Sequence, residues 1–135
     1  IIVQLKIKMT LLQFILKMWQ EGLIVDNATS GRNTIEKEMI SYIQQNYTEK
    51  IYLKEFGAQF HLSEKYISRY FKEHFHITLS QYVNHLRLEH ARQLLQETAL
   101  PITEVAMQSG YQNVSYFIRS FKKTYEMSPL KYRKE

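Results

Sequence analysis

Arg69 and Arg119 stand fifty residues apart, each with a serine beside it, Ser68 or Ser120, and a lysine three positions on, Lys72 or Lys122. A guanidinium is the side-chain group that can meet two acceptors on one guanine edge, and a lysine further along the same face can meet a phosphate as a point charge. The surroundings recur too. FKEHFHITLSQY (Phe71 to Tyr82) and FKKTYEMSPLKY (Phe121 to Tyr132) repeat Phe, Lys, an aromatic, a Ser or Thr and a final Tyr at the same relative positions. A single arginine on an amphipathic helix is ordinarily a solvated charge; two at equivalent positions of a repeat point to a shared task.

Other chemistries find little support. The chain has no cysteine, hence no disulfide, thiolate nucleophile or cysteine-based zinc site, which fits a reducing, cytoplasmic location. Its five histidines include His74, His76, His85 and His90, but no carboxylate pair or Gly-rich loop accompanies them in catalytic or metal-binding spacing. They read as surface or helix-end residues. No catalytic residue, metal site or cofactor is expected, so an enzyme is not indicated.

The elements that must position the two arginines are helical. Four Gly and two Pro leave few turns for a sheet-rich fold, and 135 residues allow one ordinary domain or two small ones packed together. Leu5, Met9, Leu12, Leu16 and Trp19 form an apolar stripe, broadened by Leu11, Phe14, Ile15 and Met18 beyond what a free surface helix shows. Something must cover it. Residues 25–33 (VDNATSGRN) read as a linker, and a second helix is expected with Asn33 as its N-cap, burying Ile35, Met39, Ile43 and Tyr47.

LKEFGAQFHLSEKYISRYFKEHF from Leu53 and ITEVAMQSGYQNVSYFIRSFKKTY from Ile102 then align with one extra residue near the second turn. Each reads as a short helix, a tight turn and a longer helix. Leu53, Phe56 and Phe60 face inward in the first short helix, with Gly57 where a second helix must come close; Ile102, Val105 and Ala106 repeat the layout. His61-Leu62-Ser63 and Ser109-Gly110-Tyr111 form the turns, with Ser63 as an N-cap. Between the copies, Ser80 to Glu97 reads as one helix of roughly 25 Å, ended before Pro101.

Projection at 100° per residue separates two faces on each longer helix. Ile67, Tyr70, Phe71, His74 and Phe75 fall on one side of the first, and Lys65, Ser68, Arg69 and Lys72 on the other. In the second, Phe117, Ser120, Phe121, Thr124 and Tyr125 oppose Ser115, Ile118, Arg119 and Lys122. Long cations set among short side chains suit a major groove, and paired helices of this kind form the helix-turn-helix pattern of DNA binding.

Charge supports an anionic partner. The net charge is +5, and the segment from Arg119 to Lys134 carries that whole surplus, with six cations against Glu126 alone. A membrane-surface helix would line its cations along one amphipathic side, whereas here they are divided between two equivalent units, which favours duplex DNA. The apolar runs are far shorter than the ~20 residues that span a bilayer. The chain does not begin with Met, and we read it as a C-terminal piece of a longer protein.

With these residues assembled, residues from about Ile35 to Arg133 resemble the DNA-binding domain of the AraC/XylS family of bacterial transcription regulators. ITEVAMQSGYQNVSYFIRSFKKTYEMSPLKYR is similar to the signature of its second helix-turn-helix, and RLEHARQLL (Arg87 to Leu95) to its linker helix. The resemblance implies an all-α fold of about seven helices, two helix-turn-helix subdomains joined by a long helix, here with an extra N-terminal amphipathic helix. By position it places base contacts on Lys65, Ser68 and Arg69, and on Val114, Ser115, Ile118 and Arg119. It places phosphate contacts on Ser63, Lys72, Asn113, Lys122 and Lys123. The implied divisions are 1–24 as the end of an effector or dimerisation domain, 25–33 linker, 34–79 first unit, 80–98 linker helix and 99–135 second unit. Implied partners are double-stranded promoter DNA, RNA polymerase, and an effector or second copy through the preceding domain; the implied role is an activator. The alternative is a protein-interaction module that keeps the fold without specific DNA binding. His76 and Glu126 depart from the family, which commonly has Gly there, so differently capped helix ends are expected. Ile118 places an apolar group where polar side chains are frequent, suited to thymine methyls.

Overall fold

The structure, a computed structural model, describes Met9 and residues 30–135, and every element of the described residues is an α-helix. In order they are α1 (Ser30–Asn46), α2 (Leu53–Phe60), α3 (Glu64–Phe75), α4 (Leu79–Glu97), α5 (Ile102–Gln108), α6 (Val114–Tyr125) and α7 (Pro129–Lys134). The all-helical fold with a long central helix is the one expected. Of the N-terminal stripe only Met9 lies within the described residues; it is helical and 5% exposed.

Helix ends follow local chemistry. Ser63 Oγ accepts from the Tyr66 amide at 3.1 Å and Asn113 Oδ1 from the Tyr116 amide at 2.9 Å, so both longer helices start on side-chain caps at equivalent positions. Thr78 and Gln81 form a reciprocal capping box that opens α4 at Leu79. Helix α1 starts at Ser30, ahead of the Asn33 cap expected from sequence. Amides of a first turn have no intrahelical acceptor to lose, so Gly31 and Asn33 are tolerated there. Pro101 is the residue just before α5.

The repeat is visible in packing. Phe71 lies 4.7 Å from Phe75 and 5.7 Å from Tyr82, ring centre to ring centre; Phe121 lies 4.6 Å from Tyr125 and 5.5 Å from Tyr132. Both central phenylalanines are fully buried. Each copy thus closes its own small core with the same aromatic triad, which explains the doubled sequence segment. Helix α4 serves both: Leu79, Tyr82 and Val83 pack with α1 and α3, while Leu88, Ala91 and Leu95 pack with Val105, Ala106, Tyr111, Phe117 and Phe121.

The turns also match, with a difference. Leu62 N–H donates to Gly57 O at 2.8 Å, and Tyr111 N–H to Ala106 O at 2.9 Å. The left-handed position in each turn is His61 (φ 57°) and Gly110 (φ 106°). A Cβ on Gly57 would sit 2.3 Å from Leu62 O, so the close approach read from sequence is real. The second turn runs on through Gln112 to Asn113, and Gln112 is the extra residue of the alignment.

Candidate nucleic-acid interface

Helices α3 and α6 carry the candidate residues on their outer faces. Lys65, Ser68, Arg69 and Lys72 are exposed on α3, and Ser115, Ile118, Arg119, Lys122 and Lys123 on α6. Ser63 and Asn113 are exposed at the helix starts, where their oxygens already cap amides. Ser63 keeps its hydroxyl proton and Asn113 its amide NH2 as donors. Val114 is the exception: it is half-buried and packs against the second core, which limits what it can offer a partner.

No ion pair among the described residues ties up Arg69 or Arg119; His74 instead lies 3.4 Å from Glu36, and Arg92 lies 3.0 Å from Glu89. A groove of about 710 Å³ runs beside α3, lined by Lys65, Arg69 and Lys72 and by Thr78 to Ser80 at the start of α4. Three cations and one carboxylate, Glu73, line this concavity, a surplus of positive charge that favours an anionic group such as phosphate. Beside α6 a groove of about 360 Å³ is lined by Arg119, Ser120 and Lys123, by His85 and Leu88 of α4, and by Met9.

Two exposed aromatics were missed from sequence. Tyr66 and Tyr116 stand one turn into α3 and α6, fifty positions apart like the arginines, and are 41% and 51% exposed. That spacing was the available signal. It was masked because each tyrosine reads as core in a helix rich in aromatics.

Behind α6 lies a polar network that holds it. Tyr125 OH donates to Glu89, Arg92 donates to Glu89 at 3.0 Å, and Gln96 reaches Tyr132 OH at 2.8 Å. Burial acts to raise the Glu89 carboxyl, but the Tyr125 and Arg92 hydrogen bonds outweigh it and leave its pKa below the ordinary value. Arg133, counted from sequence in the basic tail, donates to Leu100 O at 2.6 Å and Leu95 O at 3.3 Å and so staples α7 to the end of α4. His85 is half-buried in mid-α4 and not at a helix end, and its Nε2 is buried without a hydrogen-bond partner among the described residues. Desolvation there pulls its pKa below the ordinary value, opposed by Glu89. His90 Nδ1 meets Tyr47 OH at 2.9 Å.

His76 and Glu126 do not alter the helix ends. Both take the left-handed conformation (φ 61° and 63°) that glycine usually supplies, and donate their amides to Lys72 O and Lys122 O at 2.9 and 2.8 Å. The expected difference in capping is absent; what changes is the strain carried by a side chain at positive φ.

Two capped outer helices, each seated on a short helix through a tight turn and joined by α4, make this a double helix-turn-helix DNA-binding fold. A family profile described as a helix-turn-helix domain matches residues 56–135, and the chain belongs to the AraC/XylS family of DNA-binding transcription regulators. It is 36% identical over 108 residues to the HTH-type transcriptional regulator YijO of Escherichia coli, covering 79% of this chain and 38% of that protein. It is 32% identical over 97 residues to the HTH-type transcriptional activator RhaR of Mannheimia succiniciproducens, covering 72% of this chain and 35% of that protein. Among solved structures, the C-terminal domain of the two-component response regulator yesN from Fusobacterium nucleatum superposes with a TM-score of 0.66 at 34% identity, covering 78% of this chain and 99% of that one. The chain spans well under half the length of these curated relatives. The family is one of transcription regulators rather than enzymes. No helix among the described residues is long and apolar enough to cross a membrane.

Proposed function

We propose that this chain is the reading part of a transcription activator that inserts α3 and α6 into successive major-groove segments on one face of promoter DNA. The observation that carries the proposal is the recurrence of the exposed Arg, its short neighbours and its Lys at the same register of two equivalently capped helices. In this reading Lys65, Ser68 and Arg69, with Ser115, Ile118 and Arg119, face base edges, and Val114 contributes at most its exposed side. Ser63, Lys72, Asn113, Lys122 and Lys123 hold phosphates and set the register.

Residues 34–79 and 99–135 are then two reading units joined by 80–98, with 25–33 linking them to a preceding effector or dimerisation domain ending in 1–24. Activation is supported by the likeness to an activator, and would require contact with RNA polymerase; both are expected in the cytoplasm, at the nucleoid. A second copy or an effector would act through the preceding domain. No cofactor takes part.

Methylation interference at guanine N7, which lies in the major groove, tests the insertion. On a bound duplex the expected result is two clusters of interference on one face about one helical turn apart, as adjacent reading helices require. Binding that is indifferent to N7 methylation would contradict it.

A further inference from the structure

Two reading helices specify a spacing only if something fixes their separation, and among the described residues the two cores grip α4 at different stretches, Leu79 to Val83 and Leu88 to Leu95, without touching across the gap between the units' turns. The structure holds a second connection. Arg87, at the middle of α4, donates from Nε to Tyr47 O at 2.6 Å and from Nη2 to Glu49 O at 3.0 Å, gripping the turn that follows α1 in the first unit. Against the same guanidinium lies Gly110, the left-handed residue of the turn that leads into α6. A Cβ built on Gly110 would fall 2.6 Å from Tyr47 O, 2.8 Å from Arg87 Nε and 3.0 Å from Thr48 Cα, so only a residue without one lets the second unit's turn rest on the first unit's. Neighbouring contacts hold both sides of this joint to α4: Tyr47 OH meets His90 at 2.9 Å, and Tyr111 OH donates to Asn84 Oδ1.

We infer that Arg87 and Gly110 form a spacer joint that fixes the distance and rotation between α3 and α6, making Arg87 a positioning residue for the spacing of the two half-sites. This rests on the bipartite reading proposed above. Arg87 belongs to neither outer face, and a forked donor is needed because its two carbonyl acceptors lie on different residues of one turn. Lysine has three donors on a single nitrogen at the end of a flexible stem, so it lacks the planar arrangement in which Nε and Nη2 each meet a separate carbonyl. One inserted base pair shifts and rotates a half-site relative to the other, so a rigid pair of readers must either deform the DNA or release one helix.

The test is binding of the full chain to a duplex selected by it from a random-sequence pool and to versions with one base pair added or removed between the two half-sites. Wild type should lose about tenfold or more on either change, while Arg87→Ala and Arg87→Lys should lose no more than about threefold, with each half-site's own base preferences retained. Circular dichroism and melting of both variants establish that they fold, and Arg87→Lys keeps the charge, so a merely electrostatic loss would appear in Arg87→Ala alone. An unchanged spacing penalty in folded Arg87→Lys would overturn the joint. A wild-type site with a single patch would instead overturn the bipartite reading itself, and the joint with it.

Discussion

Five arginines have described side-chain environments, and the fold treats them differently. Arg87, Arg92 and Arg133 are spent on internal acceptors, whereas Arg69 and Arg119 are exposed at matching positions. Arg69→Ala and Arg119→Ala should therefore each cost about 1–3 kcal/mol at a specific site and much less on unrelated duplex. Lys72→Ala and Lys122→Ala should weaken binding to all sequences about equally and lower the salt slope by roughly one each, as read from titrations at several salt concentrations. These outer faces could be read from sequence because a 100° projection depends only on register. Arg133 could not: its acceptors are Leu95 O, in the last turn of α4, and Leu100 O, in the loop that follows, and that meeting is set by tertiary packing. Tyr66 and Tyr116 stayed hidden for the related reason that hydropathy does not tell an exposed aromatic from a core one.

At the scale of elements, each short helix is pressed against its longer partner at a small residue. Gly57→Ala would drive a Cβ into Leu62 O, a backbone atom that cannot step aside, and should cost about 2 kcal/mol or more in urea denaturation. Helix ends offer the opposite change. Glu126→Gly relieves positive φ at a position where the amide alone makes the capping bond, and should raise stability by about 1 kcal/mol without altering DNA sequence preference. Element order and the inward Phe, Tyr and Val positions were legible because repeat and periodicity agree. The start of α1 was not, since Ser, Gly, Arg and Asn are as acceptable in a first helical turn as in a linker.

For the whole molecule, two small cores share α4, and His85 sits within that shared helix beside the groove of Arg119, Lys123 and Met9. Burial lowers its pKa, so the unfolded chain takes up a proton that the folded chain resists. The stability this neutral imidazole contributes is complete above about pH 6.5 and is lost as pH falls below that value towards the depressed folded pKa. Melting temperature should drop between pH 7 and pH 5, and His85→Leu should flatten that drop; an identical pH profile in the variant would assign the effect elsewhere. Glu89, also depressed, contributes above its ordinary value of 4.5 and is lost only below it, outside that window. None of this long-range coupling could be read from sequence, since it depends on which side of α4 each unit covers. The central claim, two equivalent readers held in one frame, is tested most directly by selecting bound sequences from a random duplex pool at ~150 mM salt, with the Arg69→Ala/Arg119→Ala double variant in parallel. The account predicts a motif of two information-rich patches about one helical turn apart that disappears in the variant. A motif that survives the double substitution, or no enrichment by a folded wild-type chain that still binds bulk DNA, would contradict it.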